Sequence, residues 1–171
     1  LLVYTTAPEL FDALAMNDWD PRVITDLVDL DGMTVIDAGA GTGRVAFGVV
    51  GQARHVYAVE PVMRLRQFMR DKATASGIAN LFVLDGTLDA IPHPTDTADV
   101  LLTCRAIGWR LEDELVEIER VVRDGGIALH LGLPHPPSPD DPRHLGLIEA
   151  GYAATLYPEG QEQRASYRRQ Y

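Results

Sequence analysis

Three glycines at alternate positions, Gly39, Gly41 and Gly43, follow the acid Asp37 in the stretch "VIDAGAGTGR". Glycine adopts positive φ without steric cost and lets a ligand lie against bare backbone. A helix starting at Gly43 would add unpaired N–H groups and a partial positive charge, which suit a pyrophosphate or a carboxylate. Glu60 lies about twenty residues beyond the loop, the position from which an acid grips ribose hydroxyls. Asp85, followed by Gly86, stands where a carboxylate can accept from an exocyclic amine such as adenine N6. Taken singly, each feature has a plainer reading: a tight turn, a helix cap beside Pro61, an Asp-Gly turn pair. Taken in order, each at the end of a strand, they outline a site for an adenosine-containing ligand.

The elements that must position these residues alternate. β-Branched and apolar runs predict strands at Thr34–Asp37, His55–Val59, Leu81–Leu84, Ala98–Thr103 and Ile127–Leu133. Helices are expected between them. One covers Gly43–Val50. Another covers Val62–Ala75, with Leu65, Phe68 and Met69 inward. A third covers Glu112–Val122 and is terminated by Gly125-Gly126. Short helical stretches are expected at Pro8–Met16, after Asp20-Pro21 and at His144–Ala150, and a closing pair of strands at Tyr152–Tyr157 and Ala165–Tyr171. Alternating strands and helices imply βαβ units, so the expected fold is α/β: a Rossmann-like, doubly wound, mostly parallel sheet with helices on both faces and a short antiparallel C-terminal edge. In such sheets ligands bind beyond the carboxyl ends of the strands, where the strand order reverses.

The 171 residues suggest one domain: N-terminal helices over 1–31, a core over 32–133 and a C-terminal segment over 134–171. The stretch "PHPPSPDDP", Pro134–Pro142, reads as a stiff surface loop rather than a boundary. A net charge of −10 disfavours nucleic acid and anionic membranes. No apolar run approaches the ~20 residues that span a bilayer. Cys104 is the only cysteine, which fits a reducing, cytoplasmic setting.

The runs "VIDAGAGTGR", "VYAVEP", "VLDGTLDAIPHPTDTADVLLT" and "ELVEIERVVRDGGIALHL" resemble the successive motifs of class I S-adenosylmethionine-dependent methyltransferases, and the likeness is to the small, insertion-poor Methyltransf_11 type. The resemblance covers roughly residues 33 to 133. It implies S-adenosylmethionine as cofactor, S-adenosylhomocysteine as product and a small-molecule acceptor, with no metal, in a monomer or homodimer. Gly39, Ala40, Gly41 and Gly43 would line the methionine moiety, with Asp37 beneath them orienting the loop. Glu60 would hold the ribose hydroxyls, Pro61 and Val62 would lie along the adenine, and Asp85, Gly86 and Thr87 would read its edge. Cys104 and Arg105 would face the methionine and the substrate.

No catalytic motif is visible, in keeping with a reaction whose donor carries its own leaving group. Arg105 and His135 are the candidates near strand ends, Arg105 as an anion binder or an exposed loop residue. Trp109 is expected to pack under the following helix, His130 to sit inside the sheet, and Cys104 to form a small buried wall. Tyr4 resembles the N-terminal aromatic that caps the cofactor in some relatives. A nicotinamide cofactor is the rival: "GTGRVA" from Gly41 satisfies a loose G-x-G-x-x-A, but in the register from Gly39, Arg44 stands where the third glycine belongs. A non-catalytic binding module is the other alternative.

Overall fold

A computed structural model describes residues 6–13, 20, 22–134, 138, 140–159 and 162–171. Tyr4, Pro21 and His135 lie outside the described residues. Seven strands form one sheet: β1 (Thr34–Ala38), β2 (His55–Val59), β3 (Leu81–Leu84), β4 (Ala98–Cys104), β5 (Val122–Leu133), β6 (Ala153–Glu159) and β7 (Glu162–Gln170), in the order β3-β2-β1-β4-β5-β7-β6. Pairings among β1 to β5 are parallel, whereas β7 runs antiparallel to both β5 and β6. The order reverses between β1 and β4, so the glycine turn after β1 and Cys104 at the end of β4 meet at the switch point.

Helices cover both faces: α1 (Pro8–Asp12), α2 (Arg22–Thr25), α3 (Arg44–Val49), α4 (Met63–Ala75), α5 (Leu111–Val121) and α6 (Pro142–Glu149). Strand side chains alternate between two cores, as the two-residue period of a pleated strand requires. Val35, Val100 and Leu102 pack with Val45 and Val49 of α3 and Met69 of α4, while Ile36, Leu101 and Ala128 pack with Ile118 and Val121 of α5 and Leu147 of α6. Among the described residues no helix is long and apolar enough to cross a membrane.

One expectation is corrected. Gly125-Gly126 does not stop α5, which gives way to β5 already at Val122. The glycines lie inside β5, where pairing with β4 jumps from Ala98–Val122 to Val100–Ile127. Gly125 has φ +76°, and a Cβ on Gly126 would approach Val122 and the Arg123 carbonyl within 2.8 Å, so this bulge needs glycine at both positions. The antiparallel C-terminal edge stands where it is expected. β7 spans nine residues and lies inside the sheet, and β6 forms the edge.

Candidate cofactor and acceptor site

A cavity of about 640 Å³ opens at the carboxyl ends of β1, β2 and β4. Its floor is the glycine turn, through Gly39, Ala40, Gly41 and Thr42, whereas Gly43, against Met69 and Phe47, does not line it. Gly39, Gly41 and Gly43 all take positive φ, +76°, +58° and +83°. The N–H groups of Gly39 and Ala40 both donate to the Val59 carbonyl, at 2.9 and 3.0 Å, which ties the turn to β2. A Cβ on Gly39 would come within 2.4 Å of the Ala106 Cβ, whereas one on Gly41 would meet no protein atom within 4 Å. Gly39 is therefore required by packing, and Gly41 only by its backbone angle and by whatever occupies the cavity.

Asp37 lies beneath this turn, 1% exposed, and its Oδ2 accepts the Ala46 N–H of α3 at 3.0 Å. Burial, aided by the nearby Glu60 charge and opposed by that hydrogen bond, pushes its carboxyl up to about 7. Glu60 accepts the Gly41 N–H on Oε2 and the Val62 N–H on Oε1, both at 2.9 Å. Burial raises its pKa, while the two backbone donors and the Arg66 guanidinium pull the other way. A carboxylate has about four acceptor positions. Two remain on Glu60, which lines the cavity with Pro61 and Val62.

Asp85 departs from expectation. Its carboxylate faces Arg66, which donates from Nη1 at 2.8 Å and from Nη2 at 2.9 Å, and its side chain is 70% exposed. Asp85 and Gly86 do not line the cavity. Thr87, Leu88 and Asp89 do. Arg66 is buried and also donates to the carbonyls of Glu60 and Pro61, so it clamps the ends of β2 and β3 together.

On the acceptor side Cys104, Arg105, Ala106, Trp109 and Arg110 line the wall. Burial pushes the Cys104 thiol up to about 12, which removes it as a nucleophile at neutral pH. Arg105 is no free loop residue: its Nη2 pairs with Glu159 at 2.7 Å. Trp109 is not packed under α5 but is 89% exposed. Glu114, buried in the first turn of α5, accepts the N–H groups of Gly108, Trp109 and Arg110 at 2.6, 3.1 and 3.0 Å, and the loop it gathers presents the indole outward. Ile107 supplies the buried apolar contact instead. His130 sits fully buried inside the sheet, as expected. It shares a hydrogen bond of 2.9 Å with Thr103, and burial pushes it down to about 3.

Residues 35–126, more than half of the chain, match the family model described as "Methyltransferase domain", Methyltransf_25. The chain belongs to this methyltransferase-domain family. The model is of the same class I group as the Methyltransf_11 type that the motifs resemble. An uncharacterized methyltransferase of Mycobacterium bovis is 28% identical over 109 residues, 63% of this chain and 43% of that protein. The malonyl-[acyl-carrier protein] O-methyltransferase of Salmonella typhimurium is 32% identical over 96 residues, 55% of this chain and 36% of that protein. The matched stretch thus spans less than half of each of these two relatives. A crystal structure of a SAM dependent methyltransferase from Aquifex aeolicus shares the fold with a TM-score of 0.79, covering 97% of both chains at 19% identity.

In this methyltransferase domain, Phe11, Arg44, Asp89, Arg110 and Glu114 line the cavity without having been anticipated as site residues. Phe11 is brought there by α1. The Asp12 carboxylate of that helix pairs with Lys72 of α4 at 2.9 Å, and its carbonyl accepts from Arg44 Nη2. The one sequence signal for Arg66 is a basic residue on the inward stripe of α4, between Leu65 and Met69.

Proposed function

We propose that this chain transfers a methyl group from S-adenosylmethionine to a small-molecule acceptor by in-line displacement, leaving S-adenosylhomocysteine. The observation that carries the reading is the convergence of the glycine turn, the buried Asp37 and the Glu60 carboxylate on one cavity at the switch point. The residues fit the cofactor. The cavity volume falls within the roughly 300–1,000 Å³ usual for such ligands. The open acceptor positions of Glu60 suit neighbouring ribose hydroxyls, and the open space at Gly41 suits close passage of the ligand.

When bound, S-adenosylmethionine supplies an electrophilic methyl group that already carries its leaving group. The chain's part is then to orient and to exclude water. Glu60 orients the ribose, and Pro61, Val62 and Leu65 wall the base. Asp37 lies beneath the turn, where an ammonium brought by the ligand would favour its ionised form. Phe11 and Trp109 bound the cavity with apolar surface. Cys104 and His130 are unsuited as bases, so acceptors that present a lone pair without strong base assistance are favoured.

A dinucleotide fits less well. The antiparallel β7 departs from the 3-2-1-4-5-6 order of dinucleotide folds. The Gly41 N–H, which would greet a pyrophosphate, is held by the Glu60 carboxylate, whose charge would repel phosphate.

The test supplies the full chain with methyl-labelled S-adenosylmethionine and a panel of phenols, amines, thiols and carboxylic acids, and follows S-adenosylhomocysteine. Label transfer to one acceptor class is expected. Saturable donor binding with no turnover across the panel would instead assign a binding module. A response to NAD(P)H and none to the donor would select an oxidoreductase.

A further inference from the structure

A second cavity, of about 550 Å³, adjoins the first, between the loop after β4 and the start of α6. The two share Arg105 and Trp109, so these side chains stand between them. The loop that carries Trp109 is held from two sides. Glu114 of α5 accepts the N–H groups of Gly108, Trp109 and Arg110. Gly108, at φ +104°, lies under the Arg143 side chain of α6, where a Cβ would come within 2.4 Å of the Arg143 Cγ and Cδ. Ile107 is buried, yet the Trp109 indole is 89% exposed at the rim of both cavities. A large ring fixed in place but left uncovered is preorganised for a ligand to cover it.

Charge selects the ligand. Two guanidinium groups line the second cavity, and both are balanced: Arg105 pairs with Glu159 at 2.7 Å and Arg143 with Asp141 at 2.8 Å. Arg164, which also pairs with Glu159, has a second carboxylate in Glu162. Asp140 lines the cavity as well, is exposed, and among the described residues forms no salt bridge. The cavity thus offers an open indole face and an uncompensated carboxylate. The quadrupole of the indole attracts a cation to its face, and the carboxylate attracts the same cation by its charge.

We propose that the second cavity binds a cationic group of the methyl acceptor, an ammonium or quaternary ammonium seated on Trp109 with Asp140 as counter-charge, a role that rests on the first cavity holding the donor. The rest of the acceptor passes Arg105 and Trp109 to reach the donor's methyl group. The acceptor is then an organic cation whose charge lies apart from the atom that takes the methyl.

Choline and its neutral isostere 3,3-dimethylbutan-1-ol test this, because they share a shape and differ in charge. Each is titrated by ligand-observed NMR, at physiological salt, into the full chain saturated with S-adenosylhomocysteine. Choline is expected to bind about tenfold more tightly than the alcohol. Trp109→Leu leaves the net charge unaltered, and Asp140→Asn leaves the indole. Each is expected to reduce the preference to about threefold or less. Both side chains are exposed, so both variants are expected to fold, and melting curves check this. Equal binding of the two probes, a preference that survives either substitution unchanged, or tighter binding of phenol or benzoate than of choline would overturn the proposal while the donor reading stands. Failure of the wild-type chain to bind S-adenosylhomocysteine would overturn the donor reading, and the acceptor role with it.

Discussion

The Glu60 Oε2 accepts the Gly41 N–H at 2.9 Å, so the end of β2 and the glycine turn after β1 form one rigid corner. The acid proposed to hold the ribose thus also fixes the loop proposed to cradle the rest of the ligand. Charge at Glu60 and shape at the turn are therefore coupled.

Glu60→Ala removes both functions. Each lost charge-assisted hydrogen bond is worth about 1.5–3 kcal/mol, so S-adenosylhomocysteine should bind at least about tenfold more weakly. Calorimetry on the folded variant checks this. Affinity within twofold of wild type would show that Glu60 does not face the ligand.

The glycines separate packing from ligand contact. Gly39→Ala combines a positive φ with a Cβ contact of 2.4 Å to Ala106, and should lower stability by about 2–4 kcal/mol. Gly41→Ala meets no protein atom and should cost only about 1–2 kcal/mol for its φ. It should nonetheless impair ligand binding, because its methyl group stands where the ligand passes. Denaturant melts alongside binding titrations distinguish the two. Equal losses of stability would contradict the assignment.

Asp37 sets a pH dependence. Its carboxyl titrates near 3.8 when unperturbed and at about 7 in the fold, raised chiefly by burial. Between those values the folded chain keeps a proton that the unfolded chain releases, so the group's contribution is full below pH 4 and lost as pH rises through 7. Across that window the loss is up to about 4 kcal/mol. Asp37→Asn cannot ionise. The stability of Asp37→Asn relative to wild type should rise from pH 4 to 7 and level off above. A difference that stays flat with pH would show that Asp37 is already ionised in the fold.

Much of this was legible in sequence because the signals are local. β-Branched runs marked the strands, and alternate glycines behind Asp37 marked the turn. Glu60 was placed by its distance from that turn. What was missed depends either on residues distant along the chain or on a local pattern that serves two structures equally well. Asp85 is turned to Arg66, 19 positions earlier. Phe11 reaches the cavity through an ion pair between Asp12 and Lys72, 60 positions apart. Trp109 is exposed because Glu114 gathers the backbone of its loop, and Gly125-Gly126 serves a bulge as readily as a helix stop.

Glu114 makes that last relationship testable. Glu114→Ala strands three backbone N–H groups, and even one or two left unsatisfied should cost about 2–4 kcal/mol. Trp109 fluorescence should also change, because its loop loses the anchor. A stability change under 0.5 kcal/mol, the usual bound for a neutral surface site, would contradict the role given to Glu114.

The central claim, that this cavity is built for an adenosyl amino acid, is tested most directly by titrating the wild-type chain with S-adenosylhomocysteine in a calorimeter, with NADH and NADPH as parallel titrants. Saturable binding of one S-adenosylhomocysteine per chain, with neither dinucleotide binding, is the expected result. A folded chain that gives no heat with millimolar S-adenosylhomocysteine, or that binds a dinucleotide in its place, would contradict it.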